Sequence, residues 1–352
     1  MAESSNKTWR RRRNVTRPRK AKKQTLPALS ESESLRGGRN WIDLPDDVTA
    51  SILSRLSMFD ILERAQKVCL TWRRICKDPM TWRAIHMEFH IHLRQQKIEG
   101  NFTSAKRKKH LRKFHNFNVH KMCHHAIDLS CGNLVDISIR NCGTDELLEH
   151  MTDSSRGIRR LSIVFSAYIT MKGLSKVASK LPMLEDLEIS YTPRISKSFG
   201  VLRSCEYYLE VIGRSCPLLK SLKLNKHPGD MFNNKDNGDA FAIARTMHGL
   251  KNLQLFGNWM NHQGLHAILV GCPHLESLDL RQCRHLHLNS KGWGWRAIHE
   301  GCSSHLEDLT RRCFEQITKL WLPDDSVHDY EHLAIDKTEN RQYEEYTKDM
   351  MI

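Results

Sequence analysis

The chain lacks any run of about 18 apolar residues, the length a membrane-crossing helix needs, so no span is expected in its 352 residues. It also lacks an apolar stretch behind its basic amino terminus, which argues against a secretory signal peptide and for an intracellular protein. No phosphate loop, Gly-x-Ser-x-Gly elbow or His-Glu-x-x-His helix occurs, so neither catalysis by the chain itself nor a bound cofactor is implied. Aromatic residues make up only 7%, and none forms a stacking platform beside the basic clusters. The 11 cysteines are odd in number and spread along the chain, a pattern that fits free thiols in a reducing compartment better than a disulfide framework.

Positive charge is plentiful but local. Of the formal +15, the leader Lys7, Arg10, Arg11, Arg12, Arg13, Arg17, Arg19, Lys20, Lys22 and Lys23, opposed only by Glu3, supplies net +9. A second cluster, KRKKHLRK at 106–113, adds six more positive charges, and the carboxyl end from Asp324 to Asp349 is net acidic. Without apolar periodicity the leader is expected to be disordered. Its two blocks, Arg10 to Arg13 and Arg19, Lys20, Lys22 and Lys23, suit a nuclear import receptor and give an expectation of nuclear residence, with the cytoplasm also open. A merely solubilising leader, or one attracted to nucleic acid, stays open at this point.

An internal repeat organises the rest. LHAILVGCPHLESLDL (265–280) aligns without gaps on LSKVASKLPMLEDLEI (174–189) and LEVIGRSCPLLKSLKL (209–224). Weaker copies occupy 125–139, 148–163 and 241–255, and a degenerate one 295–309. The first strand aliphatics, Leu134, Ile158, Leu184, Leu219, Leu250, Leu275 and Leu306, are 24 to 35 residues apart. The shorter spacings match leucine-rich repeats. Each unit reads as a helix followed by a strand, and stacked units bury a common core with a parallel sheet on the concave side. Pro217 and Pro273 should stop their helices, because proline cannot donate the next amide. Excess residues fall after strands at 190–208, 225–239 and 281–296, which predicts loops crowding one rim.

In the stretch 271–287, Cys272, His274, Cys283, His285 and His287 look like zinc ligands. The register opposes that reading. Cys272 ends a helix and Cys283 sits at a turn, with a strand between them, whereas zinc fingers pair ligands two to four residues apart. No metal site is expected.

Ahead of the repeats, Leu44-Pro45, Ile52-Leu53, Leu56, Val68-Cys69, Trp72-Arg73 and Trp82 occur in an ordered set over three short helices. This set resembles the F-box, and its combination with Cys-containing leucine-rich repeats is similar to the plant F-box/LRR-repeat proteins. The fold class expected is α/β: a three-helix F-box, then a leucine-rich-repeat solenoid of about seven repeats. The expected division is a leader (1–39), the F-box (40–86), a basic linker (87–121), repeats (122–322) and a disordered acidic tail (323–352). Two departures from the family pattern stand out: the long basic linker, and Arg311 where an inward aliphatic is expected.

The resemblance implies a substrate-recognition subunit of an SCF-type ubiquitin ligase. Leu44, Pro45, Ile52, Leu53, Leu56 and Trp72 would dock on a Skp-family adaptor and, through it, on cullin and RING proteins. Such a receptor accelerates transfer by tethering its target, with no chemistry of its own. Strand alternation then points Ser138, Ser162, Glu188, Lys223, Gln254 and Asp279 outward in one column, with Arg140, Val164, Ser190, Asn225, Phe256 and Arg281 beside them. Arg140, Glu188, Lys223, Gln254, Phe256, Asp279 and Arg281 are the candidate contacts for a protein substrate. A nucleic acid would favour a continuous basic stripe, which this mixed column is not. The alternative roles are an F-box scaffold that binds the adaptor without degrading its partner, and a nucleic-acid-binding solenoid that uses the two basic clusters.

Overall fold

The structure, a computed structural model, describes residues 44–88, 119–166, 168–192, 204–226, 237–283, 285–286 and 303–330. The chain divides into Met1–Leu44 and Pro45–Ile352, and every element below belongs to the second unit.

Three short helices open it: α1 (Asp46–Leu53), α2 (Met58–Glu63) and α3 (Leu70–Ile75), with 3-10 turns at Ala65–Lys67 and Pro79–Trp82. Local chemistry sets their ends. Ser57 Oγ accepts from the Asp60 amide at 3.1 Å to cap α2, and Cys69 Sγ takes the same part for Trp72 at 3.4 Å. Asp78 caps the last turn, where Pro79 sits at a position that needs no amide donor. The interior of this module is Leu53, Met58, Ile61, Leu62, Ile75 and Trp82, all buried.

The sheet follows at once. Among the described residues it has eight parallel strands in sequence order: β1 (Ala84–Glu88), β2 (Asp136–Arg140), β3 (Arg160–Val164), β4 (Asp186–Ser190), β5 (Ser221–Asn225), β6 (Asn252–Gln254), β7 (Ser277–Asp279) and β8 (Lys319–Trp321). Between them run α4 (119–129), α5 (Asp145–Ser154), α6 (Met171–Ala178), α7 (Ser204–Ser215), α8 (Gly238–Thr246), α9 (His262–Gly271) and α10 (Ser303–Gln316). Ile85, Ile137, Leu161, Leu187, Leu222, Leu253, Leu278 and Leu320 are in register across the sheet. All but Leu320 are buried, and Leu320 packs against the same core. Helices α7 and α9 end at Ser215 and Gly271, one residue short of Cys216-Pro217 and Cys272-Pro273, as the missing proline amide requires.

Two boundaries differ from the sequence expectation. The basic segment does not separate the helical module from the repeats: β1 begins two residues after Trp82 and pairs with β2 over five residues. Arg83 O also accepts from the Val135 and Asp136 amides, at 2.9 and 3.2 Å. The segment lying outside the described residues at 89–118 is therefore inserted between β1 and α4. The last repeat also shifts. Residues 303–316 are helical, with Leu309 and Cys313 buried one turn apart, so the strand expected near Leu306 lies instead at Lys319–Trp321. Arg311 is consequently an exposed helix residue paired with Asp308, and the departure it seemed to make from the family pattern disappears.

The strands end in a repeated turn. Asn141, Phe165, Tyr191, Gly257 and Gln282 each follow the same register position with φ between 51° and 68°. In a left-handed conformation, non-glycine residues sit at a cost of roughly 1–2 kcal/mol each. The parallel ladder carries on through these residues: Phe165, Tyr191 and Gly257 each donate to the next repeat at 3.0 Å, and Gln282 donates to Pro323 O at 2.9 Å.

The repeat cysteines tie neighbouring units together. Cys283 Sγ donates to Leu255 O at 3.0 Å, Cys272 Sγ to Met247 O at 3.6 Å and Cys216 Sγ to Ala178 O at 3.9 Å. Cys272 and Cys283 thus bond into different places, and no cluster of metal ligands forms among the described residues. Burial pushes all three thiols up to about 12. At pH 8 only about one such thiol in ten thousand is ionised. Maleimide is expected to label exposed Cys131 in the native protein and to reach these three only after denaturation, read by peptide mass spectrometry. Because their folded values lie above the unfolded value of about 8.5, stability should hold below that pH and fall as pH rises from there toward 12.

Candidate functional site

Two surfaces carry the candidate residues, and the first is the three-helix module. Of the residues expected to meet an adaptor, Pro45 and Leu56 are exposed, and Ile52 and Trp72 are half-buried. Leu53 is fully buried and belongs to the module's own core, a correction with a simple cause: Ile52 and Leu53 are adjacent, so a helix turns them to different faces. Leu44, half-buried, lies in the other unit. Val48 and Val68 are exposed, as are Leu70 and Met80. Leu70 is 83% exposed and Val68 62%. They flank Cys69, whose extended cap conformation breaks the helical phase. Leu70 also lines a cleft with Gln66, Lys67, Cys69 and Arg73. Arg74 Nη2 donates to both Asp46 carboxylate oxygens, at 2.7 and 2.8 Å, and holds α3 to the start of α1.

The second surface is the sheet face opposite the helices. The register aligns His86, Ser138, Ser162, Glu188, Lys223, Gln254, Asp279 and Trp321 as one column, which extends the expected one by a residue at each end. Lys223 is exposed and Gln254 half-buried. Glu188 accepts from Ser162 Oγ at 2.9 Å and Ser190 Oγ at 3.0 Å, and Ser190 Oγ in turn accepts from Asn225 Nδ2 at 2.8 Å. Arg140 is 3.4 Å from Glu88 and lies over the Phe165 ring. Behind the edge of this network a buried ion pair, Lys226 Nζ to Asp239 Oδ2 at 2.6 Å, packs against the Trp259 ring.

Three expected contact residues are not open to solvent. Phe256, Asp279 and Arg281 are buried, because residues 323–330 fold back over them instead of forming part of a free tail. Tyr330 stacks on Phe256 with centroids 4.0 Å apart and ring planes 8° from parallel. It shares a small apolar cluster with Tyr191, backed by Phe165 and Val327. Burial drives the hydroxyl pKa of both tyrosines upward. Arg281 is clamped by Asp279 at 2.8 Å and reaches out to Ser326 O at 2.9 Å and to the Asp329 carboxylate. The segment shapes itself with short-range bonds, Leu322 N to Asp325 Oδ2 at 2.7 Å and Tyr330 N to Val327 O at 3.0 Å. Val164, Ser190 and Asn225, from the neighbouring column, are buried as well.

The residues expected to form an import signal, Arg10, Arg11, Arg12, Arg13, Arg19, Lys20, Lys22 and Lys23, lie outside the described residues, as do His287, most of each expected rim loop and the tail beyond 330.

Comparison with known proteins meets this architecture from the sequence side. The F-box-like family matches residues 41–88, the three-helix module with β1. Putative F-box/LRR-repeat protein 23 of Arabidopsis thaliana is 40% identical over 302 residues, 86% of this chain but 56% of that protein, so the chain spans little more than half its length. F-box protein SKIP19 of Arabidopsis thaliana is 39% identical over 82% of this chain and 79% of its own. Putative F-box/LRR-repeat protein 9 of the same plant is 39% identical over 71% of this chain and 90% of its own. With the module matched, the repeats stacked behind it and two relatives at 39% identity covered over 79% and 90% of their own lengths, the chain belongs to the F-box/LRR-repeat protein family.

Proposed function

We propose that this chain is the substrate-recognition subunit of an SCF-type ubiquitin ligase. Its F-box docks on a Skp-family adaptor through Pro45, Val48, Leu56, Val68, Leu70 and Met80, while the sheet face holds a protein target. The observation that supports docking is the concentration of large apolar side chains in solvent on a module whose interior is already filled. A small three-helix module gains nothing by wetting Leu70, whereas burying it against a partner is worth about 1.5–3 kcal/mol. The direct passage from Trp82 into β1 supports presentation, because it fixes the adaptor surface relative to the sheet. In this role the chain supplies position, and transfer chemistry belongs to other subunits.

The test is co-purification of the full chain with a Skp-family adaptor. A Val68→Glu/Leu70→Glu variant should keep the wild-type melting temperature, since both side chains already face water, and lose adaptor affinity by at least about tenfold. Adaptor retained at wild-type strength by that variant would remove the docking surface from the proposal.

A further inference from the structure

Arg281 and the rings beside it are built as a receptor, and the chain fills that receptor with its own residues. Asp279 takes one side of the guanidinium, through Nε at 3.1 Å and Nη2 at 2.8 Å, and thereby fixes its plane. Nη1 is then turned outward, where it meets a backbone carbonyl (Ser326) and a carboxylate (Asp329). Next to it, Phe256 offers a flat face that Tyr330 covers, at the end of a ring series through Tyr191 and Phe165 stacked at 5.0 Å. A fixed guanidinium beside an aromatic floor selects a carboxylate followed directly by an aromatic residue on an extended polypeptide. Asp329-Tyr330 is such a pair.

The segment carrying the pair has no helix or strand after β8, and the Asp329 side chain is 65% exposed. The segment meets the solenoid through Gln282 N to Pro323 O at 2.9 Å, the Arg281 bonds to Ser326 and Asp329 and the Tyr330 stack on Phe256. It sits on three of the residues that strand alternation assigns to target contact. We propose that Asp329-Tyr330 is an internal stand-in for the target, and that a protein partner bearing an acidic residue immediately before an aromatic one enters the Arg281–Phe256 site by displacing it. This rests on the reading that the sheet face holds the target. A tethered occupant competes at an effective concentration in the millimolar range, so only partners that add contacts elsewhere along the column would displace it.

The experiment uses the full chain without any adaptor and, as probe, a fluorescein-labelled peptide of residues 326–332, Ser-Val-His-Asp-Tyr-Glu-His. By fluorescence anisotropy it should bind the Asp329→Ala/Tyr330→Ala variant at least tenfold more tightly than the wild-type chain. Peptides with Asn for the Asp, or Ala for the Tyr, should lose that binding. The single variant Asp329→Asn, altered at an exposed position, should show an intermediate gain. Equal weak binding to all three chains, or equal binding of the altered peptides, overturns the proposal. So does loss of the far-UV circular dichroism signal in the double variant, since a segment the fold cannot release is a brace. Adaptor capture measured on the same variants separates the two readings: its loss would count against the ligase role, whereas peptide failure with adaptor capture intact counts only against the stand-in.

Discussion

Replacing Lys226 by Met is expected to lower the unfolding free energy by about 3–5 kcal/mol. The Lys226 and Asp239 side chains are 9% and 5% exposed and meet at 2.6 Å, so the substitution leaves a buried carboxylate without its counter-charge. Lys226 also lies over Trp259 and is the residue at which the ladder passes from the fifth strand to the sixth, its amide donating to Phe256 O at 2.9 Å. Met preserves the stem's packing, so the loss isolates the charge. The double variant Lys226→Met/Asp239→Leu should recover most of the deficit, because two apolar side chains of similar volume need no pairing. Urea unfolding reads both; a single variant with an unchanged midpoint would mean that water already reaches the pair.

The second large effect is expected at Trp82. It is buried, its indole nitrogen donates to Cys76 O at 2.8 Å, and it stands at the junction of the last F-box turn and the first strand. Trp82→Ala should cost about 3–5 kcal/mol through the cavity it opens, with the orphaned carbonyl adding to it. Trp82→Phe keeps most of the packing and should cost about 1 kcal/mol for the lost hydrogen bond. The informative readout is paired: Trp82→Ala should weaken adaptor capture and lower the urea midpoint together, whereas the Val68→Glu/Leu70→Glu variant changes only the first.

Trp82 also explains why part of the fold escaped the sequence. Trp82-x-x-Ile85-x-Met87 is a copy of the strand pattern Leu134-x-x-Ile137-x-Ile139, but the F-box motif ends on the same tryptophan and had already absorbed it. At the far end, Ile317-x-x-Leu320-x-Leu322 is a better match than the Leu306 copy, and the helical spacing of Leu309 and Cys313 is the signal that separates them. Between these ends, alternation placed Ser138, Ser162, Glu188, Lys223, Gln254 and Asp279 in one column without error, because a period of two and a fixed repeat leave no freedom of register.

The candidate site was less legible. An apolar residue in a short helix can serve the core or a partner, and only the turn between Lys67 and Leu70 decides that Val68 and Leu70 face outward. The fold-back of 323–330 was hidden for another reason. Its acidic composition reads as solvated, while its anchors are one valine and one tyrosine, and the arginine that receives it is 45 to 48 residues away in sequence. Nothing periodic links such partners.

The direct entry of the chain into β1 has a consequence for any attempt to work with the repeats by themselves. In a parallel stack each strand covers the hydrogen-bonding edge and part of the core of the one after it, and β1 does this for β2 over five paired residues. Ile85 and Met87 are as deeply buried as Ile137 and Ile139 beside them. The F-box is therefore also the amino-terminal lid of the solenoid, and a fragment that begins after residue 88 would carry a raw edge of unpaired amides and carbonyls along β2. Such an edge invites other strands, so partners captured by that fragment would include proteins that recognise the cut and not the receptor.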